Sequence, residues 1–188
     1  MPQNSVKTRF AFHRMNSSTS TPAIAGVVQT FPREIFMTNI NEADLKLFAG
    51  AIKRYLMVTT RQEPQLTSAF LGTADVEGFE FNGIVAFSGS YNGHVVVSMP
   101  AKLVREILVL QHETDLSDGN LLDAVGEIAN TLAGNARKAL GSDLQISVPV
   151  KMQGAFSMRA RVRKHPFVIT LRWGHHVAMV CVDLERKH

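Results

Sequence analysis

The sequence predicts an α+β domain, two long helices packed on a mostly antiparallel sheet, and three observations carry that prediction. Apolar residues recur at helical spacing from Leu45 to Leu56 and again from Leu121 to Leu140. Between and after these stretches come short β-rich runs broken by glycines. The order is helix, strands, helix, helix, strands, so the two kinds of element are segregated rather than alternating as a parallel sheet requires. With 188 residues, 45% of them hydrophobic and 19% charged, the chain has the length and balance of a single folded domain.

Residues 1–36 read as an N-terminal tail or extension: scattered basic residues, a Ser/Thr/Asn run from Asn16 to Thr21, then Pro22 and Pro32. Residues 37–188 read as the domain, and Met37 is a candidate natural start of translation. In the first helix Asn39 or Asn41 serves as cap, Glu42 and Asp44 favour the first turn, and Leu45, Phe48, Ala49, Ile52, Tyr55 and Leu56 form the apolar stripe. It ends before Pro64.

LTSAFLG and GIVAFSGSYNGHVVVSM then read as strands, with Tyr91-Asn92-Gly93 as a hairpin turn because Asn-Gly supplies the positive φ angles of type I′. Pro100 opens a short helix, AKLVREILVLQ. A polar loop, Gln111 to Asn120, leads to the second long helix, which Gly141 stops. LQISVPVKM, FSMRARVRK, FVITLRW and HVAMVCVDL complete the sheet.

Composition narrows the function classes. A net charge of +4 is a mild excess that does not point to nucleic acid. The single cysteine, Cys181, lies in an apolar run, where it packs as a small hydrophobe, and a reducing, cytoplasmic location follows. No stretch has the length of apolar residues that spans a membrane. No serine has a Gly-x-Ser-x-Gly setting, and no Gly-rich phosphate loop with lysine is present. His175 and His176 are adjacent, so a strand turns them to opposite faces, which suits a structural role rather than metal binding. His112, Glu113 and Asp115 share a loop without regular ligand spacing. Arg159, Arg161 and Arg163 alternate along one strand as a basic, solvated face.

The long helix LLDAVGEIANTLAGNARKAL carries the chemistry. With Glu127 at zero on a wheel of about 100° per residue, Leu121, Leu122, Val125, Ile128, Ala129, Leu132, Ala136 and Leu140 fall in an arc of roughly 100° to 220°, the buried face. Asp123, Asn130 and Gly134 lie within about 60° of Glu127 on the opposite side. Gly126 and Gly134 cost roughly 1 kcal/mol each relative to Ala in a helix interior, and their small size opens the helix backbone to close approach. Glu127 and Asn130, one turn apart, pair a carboxylate that can hold a cation with a carboxamide that donates and accepts at once and so can orient a water. On spacing alone, a polar stripe of this kind is more often just a solvated helix face.

The string Asp123-x-x-x-Glu127-x-x-Asn130, continued as TLAGNA, resembles the signature helix of the CheC, CheX and FliY family of chemotaxis phosphatases. The likeness extends to the order of elements from about Asn39 to the C-terminus. A second Glu-x-x-Asn helix, the mark of the CheC type, is missing: Glu42, Glu106 and Glu113 lack Asn three residues on. The chain therefore resembles the CheX type more closely. The family pattern has a Pro after the Asn, and Pro149 occupies that place at a shorter separation.

The resemblance implies a CheC/CheX-like domain that removes the phosphoryl group from the aspartyl phosphate of a CheY-like response regulator. It implies that Glu127 pairs with a lysine of the regulator, that Asn130 orients the attacking water, and that Asp123, Gly126 and Gly134 belong to the contact surface. It further implies that Mg²⁺ sits on the regulator, that this chain binds no cofactor of its own, and that the protein is a homodimer. A non-catalytic docking module of the same fold, binding a receiver domain or a flagellar switch component, is the rival reading.

Overall fold

The computed structural model describes residues 42–72, 76–154 and 166–187. The expected tail, residues 1–36, and the arginine strand, Arg159 to Arg163, lie outside the described residues. Helix α1 (Glu42–Thr60) leads to strands β1 (Gln65–Leu71), β2 (Phe81–Gly89) and β3 (Tyr91–Met99). Helices α2 (Ala101–Leu110) and α3 (Asp118–Leu140) follow, and then β4 (Leu144–Ile146), β5 (Val150–Gln153), β6 (Phe167–Trp173) and β7 (His176–Arg186). The strands make one sheet in the order β1-β6-β7-β3-β2-β4, with β5 also on β2, and every pairing is antiparallel. The α+β expectation holds.

The helices cover one face of the sheet. Phe48, Ile52 and Leu56 of α1, Leu103 and Ile107 of α2, and Leu121, Val125, Ile128 and Leu132 of α3 share a core with Val85, Val95, Val97, Leu171 and Val180. Full burial of an aliphatic side chain such as Ile128 or Leu132 stabilises by about 1.5–3 kcal/mol. On the other face Ile84, Val96, Val168, Met179 and Cys181 cluster under Val76 and Phe79 of the β1–β2 connection. Burial pushes the Cys181 thiol far up from its ordinary range, so it packs as an inert apolar group. At the end of α1 the Thr60 hydroxyl donates to Leu56 O at 2.6 Å and accepts from Trp173 Nε1 at 3.1 Å, which ties the helix to β6.

Three local expectations change. The β2–β3 pairing closes at Phe87 and Gly93, so the chain reverses through residues 88–92 around Ser90, with Gly89 at φ 99, while Asn92 and Gly93 are already paired with Glu185 and Leu184 of β7. A longer run of β-formers outweighs the Asn-Gly preference, because extending β3 through Asn92 and Tyr91 pairs it with Glu185 and Arg186 of β7. LQISVPVKM forms two strands rather than one: Ser147 still bonds Ala86, but Pro149 has no N–H to give and pairing resumes at Val150. His175 sits in the β6–β7 turn and only His176 starts the strand, where its Nε2 lies 2.9 Å from Glu106 Oε2.

Candidate functional site

Helix α3 is placed by caps at both ends and by a seat in the middle. Ser117 is the N-cap and its hydroxyl accepts from Asn120 N, while the Asp115 carboxylate accepts from Ser117 N at 2.9 Å. That bond holds the Asp115 carboxyl below its ordinary pKa. Gly141, at φ 121, ends the helix as expected, and its N–H donates to Arg137 O. In the middle, β2 presents Gly83: a Cβ there would meet Val125 O at 2.5 Å and Ala129 Cβ at 3.1 Å. The missing side chain lets the sheet touch the helix backbone, and this contact fixes the height of the Glu127 stripe above the sheet.

The wheel places the polar stripe correctly and underestimates the buried arc. Asp123 and Glu127 are exposed, and Asn130 and Gly134 are half-buried beside them. Gly126 and Ala133, about 100° and 120° from Glu127 on the wheel, are buried as well. The expectation that Gly126 faces a partner is corrected. It lies beneath this chain's own Lys151 and Pro149, whose Cγ and Cβ would stand 3.0 Å and 3.7 Å from an added Cβ. Gly134 is the glycine with open space around it, since nothing lies within 4 Å of an added Cβ.

The β4–β5 segment forms the second wall of the site. A shallow groove of about 360 Å³ runs between Asp123, Gly126 and Glu127 on α3 and Val148, Pro149 and Lys151 opposite. Val148 is 84% exposed and makes an apolar lip. The Lys151 ammonium pairs with the Asp123 carboxylate, and Gln153 Nε2 donates to Asp118 Oδ2 at 2.6 Å, so two alternate residues of β5 bind the first half of α3. Asp118 also faces Arg105 of α2 at 3.3 Å.

Among the described residues Glu127 has one long hydrogen bond, accepted within its own helix from Thr131 Oγ1 at 3.4 Å. Its charge reaches Tyr55 of α1, whose phenol is raised above its ordinary pKa, first by burial and also by the Glu127 carboxylate, against the opposing bonds with Thr59 and Gln111. Sequence reasoning counts Tyr55 as core and does not find Lys151 at the site. A buried helical glycine signals that something crosses the helix, but not which residue does.

Residues 81–172, from β2 through α3 to β6, match the family model described as chemotaxis phosphatase CheX. This stretch of the chain is similar to CheX. Among solved structures, chemotaxis protein CheX from Vibrio vulnificus has a TM-score of 0.66 at 18% identity, covering 76% of this chain and 99% of that one. A chemotaxis protein CheX from Desulfovibrio desulfuricans has 0.64 at 21%, covering 77% and 99%. The CheX-CheY-BeF3-Mg+2 complex from Borrelia burgdorferi has a chain that matches with 0.58 at 17%, covering 76% and 97%. At these identities the likeness is one of fold, and the fold is the CheC/CheX-like one expected. A comparison with curated proteins found no match.

Glu127 and Asn130, the pair singled out in the sequence, lie on α3, and Pro149 stands beside that helix against Gly126. His112 is exposed after α2, and His176 faces Glu106. Among the described residues no group of three or more His, Cys, Asp or Glu side chains is placed to hold a metal ion, and no helix is long and apolar enough to cross a membrane.

Proposed function

We propose that this protein is a phosphatase that hydrolyses the aspartyl phosphate of a CheY-like response regulator in chemotaxis or a related two-component pathway. The observation that carries the reading is the pair Glu127 and Asn130, one turn apart on the outward side of α3, within a match to the chemotaxis phosphatase CheX family. The Borrelia burgdorferi complex, in which a CheX is joined to a CheY with BeF3 and Mg+2, supports the choice of partner.

In this reading the two proteins divide the chemistry. The regulator brings the phosphoryl group and the Mg²⁺ that neutralises its oxygens, and this chain binds no metal of its own. Glu127 offers its carboxylate to a lysine of the regulator, which docks α3 over the phosphoaspartate. The Asn130 carboxamide accepts from the attacking water and donates to hold it in line. Water oxygen bonds phosphorus as the bond to the aspartyl oxygen breaks, leaving inorganic phosphate and a free carboxylate. Positioning and charge balance supply most of the catalysis in phosphoryl transfer. A neutral amide performs the task without repelling the phosphoryl oxygens. The reaction takes place in the cytoplasm. The working form is a homodimer, for which the sheet offers β1, paired among the described residues only with β6, as an edge strand.

The test is the decay of a phosphorylated CheY-like receiver in Mg²⁺ with catalytic amounts of this protein. Wild type accelerates decay, and Asn130→Ala lowers the stimulated rate by roughly a hundredfold or more, the scale on which one transition-state donor acts. Wild-type rates in the variant overturn the role of Asn130. Binding without acceleration by the wild type favours the docking module.

A further inference from the structure

The wall opposite α3 holds a cation that the proposed reaction leaves unused. Lys151 is the strand partner of Gly83, the residue on which α3 is seated, so its side chain leaves the sheet toward the helix. Its stem crosses α3 over the Cα of Gly126, where an added Cβ would lie 3.0 Å from Cγ and 3.1 Å from Cδ. Its ammonium then reaches Asp123. Of the described residues lining the groove, Asp123 and Glu127 are acidic and Lys151 alone is basic.

We infer that Lys151 is a positioning residue that sets the protein's preference for the phosphorylated over the unphosphorylated partner, by neutralising Asp123 so that the groove presents one uncompensated carboxylate, Glu127. The inference rests on the proposed phosphatase reading. A single carboxylate is what one partner lysine requires. A second, four residues away on the same helix face, would repel Glu127 and would add to the negative field against the phosphoryl group. Gly126 belongs to the same device, because a Cβ there would make the lysine stem give way by a few tenths of an ångström. Gly126, Asp123 and Lys151 are then explained together: the helix gives up a side chain so that a cation can pass over it and cancel one of two charges.

The experiment is calorimetric binding to a purified CheY-like receiver with Mg²⁺, with and without beryllofluoride as the phosphoryl mimic. Wild type prefers the loaded receiver. Lys151→Met lowers that preference by roughly three- to fivefold, the scale an exposed charge pair supports. Lys151→Arg keeps it, and Asp123→Asn with Lys151→Met restores it, which a purely structural role for the lysine stem would not do. Should Lys151→Met fail to fold, Asp123→Asn alone decides, since a freed lysine raises the preference for the loaded form. Unchanged preference in Lys151→Met, no recovery in the double variant, or no rise in Asp123→Asn overturns the inference while leaving the phosphatase reading intact. A wild type that binds neither form of the receiver overturns both.

Discussion

The two halves of α3 are treated differently by the rest of the chain. From Asp118 to Gly126 the chain itself meets the outward groups: Asp118 is met by Arg105 and Gln153, Asp123 by Lys151, and Gly126 by the lysine stem and Pro149. From Glu127 to Gly134 the outward side is more open among the described residues, with Glu127 exposed, Asn130 half-buried and open space over Gly134. The same helix is a structural strut in its first half and a presented surface in its second. Two glycines of one helix, alike in a sequence, therefore stand for opposite things: one is filled from within and the other is empty.

The largest way to break the comparison is to unseat both halves at once. Gly83→Ala puts a methyl group against Val125 O, backbone that cannot swing aside, and is expected to lower stability by about 1–3 kcal/mol, as overpacking does. Chemical denaturation measures it, and an unchanged midpoint would show that α3 can ride higher on the sheet at no cost. The glycine pair sharpens the contrast next. Gly134→Ala is expected to raise stability by up to about 1 kcal/mol, the difference in helix propensity, because nothing opposes the new methyl. Gly126→Ala gains the same propensity but must displace Lys151, so its melting temperature should rise less, and equal rises in the two variants would deny that the lysine stem is held in place.

The smallest effect concerns the anchored end. Asp115 is fully exposed and its folded pKa is depressed by the bond to Ser117, so its contribution is present above the ordinary value of 3.8 and is lost as pH falls through the lower folded value. Asp115→Asn should cost a little stability near neutral pH, with the gap between wild type and variant closing in acid. A gap independent of pH would assign the effect to packing of the loop rather than to the carboxylate.

Much of this is legible in the sequence because period and punctuation are local properties. The 3.6-residue repeat in Leu121 to Leu140 places Ile128 and Leu132 inward and Glu127 outward, and Gly141 marks the end of the helix, as the structure bears out. FVITLRW matches β6 residue for residue. Sequence alone misplaces the hairpin turn at Asn92-Gly93, because that dipeptide's preference is worth less than the ladder bonds β3 gains with β7, a strand far along the chain. Lys151 escapes notice for the same reason, as its meaning comes from Gly83 beside it and Gly126 above it.

The sequence by itself determined the class of fold, the identity of α3 as the helix that carries Glu127 and Asn130, and which side of that helix is core, because each follows from the spacing of apolar residues along one element. Only the tertiary structure decided which outward residues remain available. Availability depends on what crosses the helix from strands far away in sequence, and a lysine that closes on an aspartate at 28 residues' separation leaves no periodic trace.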